Sequence, residues 1–166
     1  MAYASKHGST AEIAEAIGDE LRAAGRTVDV RDAGEVTDLS GYDAVVLGSA
    51  TYMRRWRREA RRFLRHHASA LADRPFWVFS SGPVGEPNDG EEAWVEPKRV
   101  VETVERLGAR AHVVFGGRVP QDPSNFVERA MLRDTPPEVA DRRDWDDIRA
   151  WAASISAALP APTPAS

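Results

Sequence analysis

The segment Ser5-Lys6-His7-Gly8-Ser9-Thr10 concentrates residue types that can hold an anion. Four of its six residues are Ser, Thr or Gly. The hydroxyls of Ser5, Ser9 and Thr10 can donate to phosphate oxygens, and Gly8 permits a tight turn. Apolar residues Ile13, Ala14, Ile17, Leu21 and Ala24 follow at helical spacing, and Gly25 supplies a stop. The first amides of that helix, at the positive end of its dipole, would point at the same anion. The residues also fit a plain capping box, with Ser9 as N-cap and Glu12 at the third helical position. On the residues alone both readings stay open. No Gly-Lys-Ser/Thr follows, so this is not a Walker loop, and the three-glycine dinucleotide pattern is absent.

Other segments carry potential chemistry. Ser81-Gly82-Pro83-Val84-Gly85 follows an apolar run. Its peptide groups could bond the edge of a ligand, or simply form a turn. Tyr52 could stack on a planar π system or pack as a surface aromatic. Arg54, Arg55, Arg57, Arg58, Arg61, Arg62 and Arg65 crowd one stretch, interleaved with Trp56, Ala60, Phe63 and Leu64. The plain reading is an amphipathic helix with a solvated charged face. The sharper one is a basic docking surface for an acidic protein or an anionic membrane surface. His66 and His67 are adjacent, so on a helix they point apart. A contact with the helix C-terminal dipole explains them better than a metal.

Composition excludes several classes. There is no cysteine, which removes disulfides, iron–sulfur clusters, thiol catalysis and cysteine-ligated zinc. A cytoplasmic location is the default expectation. A net charge of −4 argues against general nucleic-acid binding. Residues 1–5 lack the basic stretch and long apolar run of a signal peptide, so none is expected, and no apolar run is long enough to span a bilayer. Any membrane contact would be peripheral, through the arginine stretch.

These loops need elements to place them. Buried strands are expected at 44–48, 76–79 and 112–115, and a short strand at 27–30. Residues 2–4 make a first, clipped strand, shorter than the usual five to six or so residues. Helices are expected at 13–24, around 56–64 and at 100–107, with a weak one at 33–39. Asp144 caps a last helix bearing Trp145, Ile148, Trp151, Ala152 and Ile155. Asn125 and Glu128 suggest a capping box opening a short extra helix over 126–132. Strands alternating with helices imply an α/β domain over 1–159, with a parallel sheet covered on both faces. The Pro/Ala-rich residues 160–166 read as a disordered tail.

The run Tyr3-Ala4-Ser5-Lys6-His7-Gly8-Ser9-Thr10-Ala11-Glu12-Ile13-Ala14 resembles the start of flavodoxin-domain proteins. Ser40-Gly41-Tyr42-Asp43, before the strand ending Leu47-Gly48-Ser49, is similar too. Within that family the chain resembles the menaquinone-dependent protoporphyrinogen IX dehydrogenases. The shared features are the loop from Gly48 to Tyr52, the segment after Phe115-Gly-Gly, and Asp144-Trp145 opening the last helix. The resemblance implies a flavodoxin-like doubly wound five-stranded sheet of order 2-1-3-4-5 and an FMN cofactor. Ser5, His7, Gly8, Ser9 and Thr10 would hold the FMN phosphate. Thr51 and Tyr52 would flank one side of the isoalloxazine ring, and Ser81, Gly82, Pro83, Val84 and Gly85 the other. His7 stands where many flavodoxins carry a hydroxyl.

The flavin would carry the redox work, so no catalytic side chain is assigned. The implied partners are a quinone or a redox protein, with a tetrapyrrole as substrate whose propionates could meet Arg54 and Arg55. Two activities follow: an FMN-dependent dehydrogenase of heme biosynthesis, or a flavodoxin-like electron carrier without a substrate of its own. A flavodoxin fold that has lost FMN is the third.

Overall fold

Alternation of inward and outward residues builds the centre of the molecule. A computed structural model describes residues 1–52, 55–82, 97–120, 122–137 and 140–161. The strands are β1 (Ala2–Ala4), β2 (Arg31–Asp32), β3 (Val45–Tyr52), β4 (Arg55–Trp56), β5 (Phe76–Ser81) and β6 (His112–Phe115). The helices are α1 (Ser9–Ala23), α2 (Arg58–His66), α3 (Ala68–Ala72), α4 (Lys98–Arg106), α5 (Phe126–Asp134) and α6 (Trp145–Ala157). The parallel strands run in the order β2-β1-β3-β5-β6. With β4 set aside, this is the expected 2-1-3-4-5 arrangement, an α/β flavodoxin-like sheet.

Period-two alternation along β3 and β5 divides the core. Val45, Leu47, Phe76 and Val78 face one cluster, completed by Ala60, Phe63 and Leu64 of α2 and by Val100 and Val104 of α4. Val46, Trp77 and Phe79 face the other, where α1 contributes Ile13, Ile17 and Leu21 and α6 contributes Ile148, Ala152 and Ile155. Both faces are therefore covered, which parallel strands require. Asp144 caps α6 by accepting the amides of Asp146 and Asp147, each at 3.0 Å.

Three details differ from expectation. The strand expected at 27–30 forms instead at Arg31–Asp32. The bonds to β1 run from Met1 N donating to Asp29 O at 2.9 Å, through Arg31 N on Met1 O at 3.0 Å, to Ala33 N on Tyr3 O at 2.7 Å, so the two residues paired as strand are Arg31 and Asp32. The weak helix at 33–39 is a turn. The Asp32 side chain accepts the Gly34 amide at 2.7 Å, a local bond that competes with helix formation. Buried His67 donates through Nε2 to the Val36 carbonyl at 3.2 Å, holding that turn against α2. Trp56 leaves the expected helix for β4, a hairpin return pairing Thr51 with Trp56 and Tyr52 with Arg55. There its indole N–H donates to Ser80 Oγ at 2.9 Å inside the core. Residues 162–166 of the tail, Arg54, and Pro83, Val84 and Gly85 lie outside the described residues. No helix of the described residues is long and apolar enough to cross a membrane.

Gly48 marks the tightest packing of the sheet. A Cβ there would sit 2.1 Å from Cζ of the fully buried Phe79 ring. Gly48→Ala should therefore destabilise the fold by about 1–3 kcal/mol, the usual range for overpacking. Chemical denaturation would show this as a lower midpoint, and pairing the change with Phe79→Leu should recover part of the loss.

Candidate functional site

The carboxyl ends of β1, β3 and β5 lie along one edge of the sheet, where open α/β sheets bind ligands. The loop after β1 is shaped by Gly8, whose φ of 84° is a left-handed conformation that side chains disfavour. The Gly8 amide donates to Ser5 Oγ at 3.1 Å, closing the turn. Gly8 itself is the N-cap of α1, without a side-chain cap. This settles the capping question: Ser9 is the first helical residue, and Glu12 is drawn elsewhere. Arg118 donates to Glu12 at 2.7 Å and Arg143 at 2.6 Å. These bonds, with burial opposing them, hold the Glu12 carboxyl below its usual range.

The first turn of α1 therefore keeps its free amides and its dipole. Ser9 Oγ is buried with no hydrogen-bond partner, and so is Thr51 Oγ1 at the end of β3. Buried polar atoms rarely go unmet in a native fold. Two orphaned hydroxyls, on the first residue of α1 and near the end of β3, beside a helix start without a side-chain cap, are what a polar anionic ligand would satisfy. The donor set thus fits a nucleotide monophosphate.

Other expected residues do different work. Thr10 and Ser81 share a buried hydrogen bond of 2.6 Å that ties α1 to β5. Gly82 has φ 108°, and a Cβ on it would stand 3.1 Å from the Thr51 carbonyl. Its amide donates to Phe115 O at 3.0 Å, so it extends the sheet rather than offering a free donor. Gly82 lets the ends of β3 and β5 approach each other. Half-buried Tyr52 carries the Lys6 ammonium 4.6 Å from its ring centroid. Pro83, Val84 and Gly85, the rest of that expected loop, are outside the described residues.

His7 does not stand alone in the loop. Its Nε2 lies 2.9 Å from Glu128 Oε1, and Lys6 Nζ bonds the same oxygen. Glu128 comes from α5, in the segment between β6 and α6. It is fully buried. Its second oxygen accepts Ser124 N at 2.7 Å and Ser124 Oγ at 2.8 Å. The anticipated capping box is half formed: Asn125 Oδ1 accepts the Glu128 amide at 3.0 Å, while the Glu128 carboxylate turns to Ser124 and the loop. Burial pushes the Glu128 carboxyl up, but bonds from Lys6, Ser124 and His7 outweigh it and hold the group well below the ordinary carboxylate range. Spacing gave no sign of this contact, because Lys6 and Glu128 are 122 residues apart. Lys6, Glu128, Arg118 and Arg143 were all missed as neighbours of the site.

The flavodoxin domain family matches residues 1–142. Comparison with curated protein sequences finds no match. Among solved structures the chain is similar to oxidised flavodoxin 2 from Bacillus cereus, at 21% identity and a TM-score of 0.64, over 95% of this chain and 97% of that one. It is similar to a flavodoxin from the domain Archaea at 16% identity and TM-score 0.61, over 95% and 94%. It also resembles rubredoxin oxygen:oxidoreductase from Desulfovibrio gigas, at 16% identity and TM-score 0.61, covering 95% of this chain but 34% of that longer one. At these identities the likeness establishes the fold.

Glu128 predicts an acid limb. Its carboxyl lies lower in the fold than the reference value of 4.5. The fold therefore has its full contribution above that value and loses it as pH falls below. Thermal melts between about pH 6 and about pH 3 should show a steep loss of stability in the native chain. Glu128→Gln should be less stable at neutral pH and show a flatter acid limb.

Proposed function

The chain belongs to the flavodoxin domain family, and from that premise we propose that it is an electron-transfer flavoprotein holding FMN at the loop between β1 and α1. The observation that carries this reading is the pair of buried, unpartnered hydroxyls, Ser9 Oγ and Thr51 Oγ1. They accompany an α1 start that Gly8 caps without a side chain. The α1 amides and Ser9 would take the phosphate. Ser5 and Gly8 hold the turn that presents them, and Thr10, through Ser81, fixes the helix to the sheet. Thr51 and Tyr52 would border the ring from β3, with Ser81 and Gly82 at the end of β5 opposite; Pro83, Val84 and Gly85 complete that proposed side. FMN supplies the electron-carrying chemistry once bound, and the protein contributes position and electrostatics.

The partner is proposed to be a redox protein with an acidic face. Arg55, Arg58, Arg61, Arg62 and Arg65 are exposed on β4 and α2. Arg55 pairs directly with Tyr52 in the sheet. A basic face beside the cofactor loop would steer an acidic partner toward the flavin. This reading keeps the protein in the cytoplasm and needs no substrate site. A second reading is an FMN-dependent dehydrogenase passing electrons from a tetrapyrrole such as protoporphyrinogen to a quinone. It is favoured by one observation, the helix α5 inserted between β6 and α6 before the Asp144 cap.

Titrating apo-protein with FMN and following flavin fluorescence tests the site. The native chain should quench it at one equivalent. Ser9→Ala should weaken binding by about 10- to 100-fold, the range for a lost bond to a charged group, with apo stability unchanged because the hydroxyl has no partner there. Failure of the native chain to bind FMN would remove the flavoprotein reading. Charge reversal at Arg58 and Arg61 should slow electron exchange with an acidic redox protein and flatten its salt dependence. Protoporphyrinogen oxidation with a soluble quinone would instead favour the dehydrogenase.

A further inference from the structure

The most unusual group in the fold is a carboxylate buried beside a loop expected to bind an anion. Removing Glu128 from water is costly unless its oxygens are fully met. They are met by Lys6 and His7 on one oxygen and by the Ser124 amide and hydroxyl on the other. Two of these donors belong to the loop after β1, and two belong to the turn leading into α5. Lys6 also lies over the Tyr52 ring from β3. One carboxylate thus joins the segments that follow β1 and β6, and through Lys6 it reaches the last residue of β3.

The inserted segment is closed at its base as well. Val119 N donates to Ala140 O at 2.8 Å, and Arg142 N to Gly117 O at 2.9 Å. At the same place Arg118 and Arg143 both bond Glu12 of α1. The insertion therefore grips the start of α1 at two points, Glu12 and the Lys6–His7 pair. Each grip neutralises charge. The loop's lysine is committed to Glu128 and so is the His7 ring, so what the loop retains for a monophosphate is neutral: the α1 amides and the Ser9 hydroxyl.

We propose that Glu128 is a positioning residue for the cofactor loop, whose buried carboxylate gathers Lys6 and His7 and so holds residues 5–8 in the shape that presents the α1 amides and Ser9 to the FMN phosphate. This rests on the FMN reading above and adds to it a dependence on the inserted helix α5. The loop is set from outside, by a group that need not touch the nucleotide. Its effect falls on the phosphate end of the cofactor and not on the ring.

FMN and riboflavin share the ring and differ in the phosphate, so their affinities separate the two roles. Dissociation constants for both would be measured by fluorescence quenching on apo-protein, native and Glu128→Gln, with circular dichroism to verify folding. Glu128→Gln should weaken FMN about tenfold or more and leave riboflavin within about twofold, collapsing the preference for FMN. Ser124→Ala, which removes one donor and keeps the carboxylate and the loop intact, should produce a smaller loss in the same direction. It serves as the decisive variant if Glu128→Gln does not fold. An unchanged FMN-to-riboflavin ratio in these variants would overturn the proposal, as would equal weakening of both ligands, which marks a role in folding alone. Tighter FMN binding in Glu128→Gln would also overturn it, because Glu128 would then merely repel the phosphate. A native chain that binds riboflavin and FMN equally, or neither, would instead sink the underlying FMN reading.

Discussion

The whole arrangement hangs on a strand of three residues. Ala2–Ala4 pairs on one side with β2 and on the other with β3. It ends where the proposed cofactor loop begins. A central parallel strand must satisfy its backbone groups on both edges, because no water reaches them. The bonds to β2 and its flanks, from Met1 N on Asp29 O to Ala33 N on Tyr3 O, achieve this on one edge over a very short span; Ala2 and Ala4 are buried as small residues on the α2 face, while Tyr3 packs against the α1 cluster. The clipped strand thus still delivers Ser5 to the carboxyl edge of the sheet. The shortened ladder leaves the edge strand β2 only two residues long.

Where the backbone ladder is short, side chains supply the remaining order. Thr10 bonds Ser81, Glu12 is held by two arginines, and Lys6 and His7 are drawn to Glu128. All of these meet at the first turn of α1. Charges of both signs are present there, and they cancel in pairs: Arg143, stacked 4.6 Å over Trp145, bonds Asp141 as well as Glu12. Fixed pairing of this kind leaves the helix dipole and the neutral donors as the local attraction for an anion. As the proposed phosphate site it would recognise its ligand by shape and hydrogen bonding more than by net charge, which suits selection among nucleotides over capture of any anion.

The two ends of the site are therefore built differently. The proposed phosphate end is held by polar bonds from Glu128 of α5 and from Arg118 and Arg143 in the segments flanking α5. The proposed ring end is bordered by β3, its return strand β4 and the end of β5, where Gly82 permits close approach. Next to it the exposed arginines of α2 give a chain of net charge −4 a locally basic face. In the proposed function, charge segregated in this way would orient encounter with a partner while the interior would fix the cofactor.

Local residue chemistry determined much of this protein without any structure. Alternating or continuous apolar runs at 45–47, 76–79 and 112–115 mark their strands, because period and burial are local properties. The loop at 5–10, the cap at Asp144 and the short helix after Asn125 are likewise written in neighbouring residues. Tertiary structure alone decided the rest. Whether 27–30 or 31–32 paired with β1 depended on where a three-residue strand could form its ladder. Trp56 left its helical stripe because Ser80, 24 residues away, offered its indole a buried acceptor. Glu128 looked like one half of a helix cap. It became the partner of Lys6 and His7 only when the fold brought α5 against the loop, since a buried carboxylate takes whatever donors three-dimensional packing places around it.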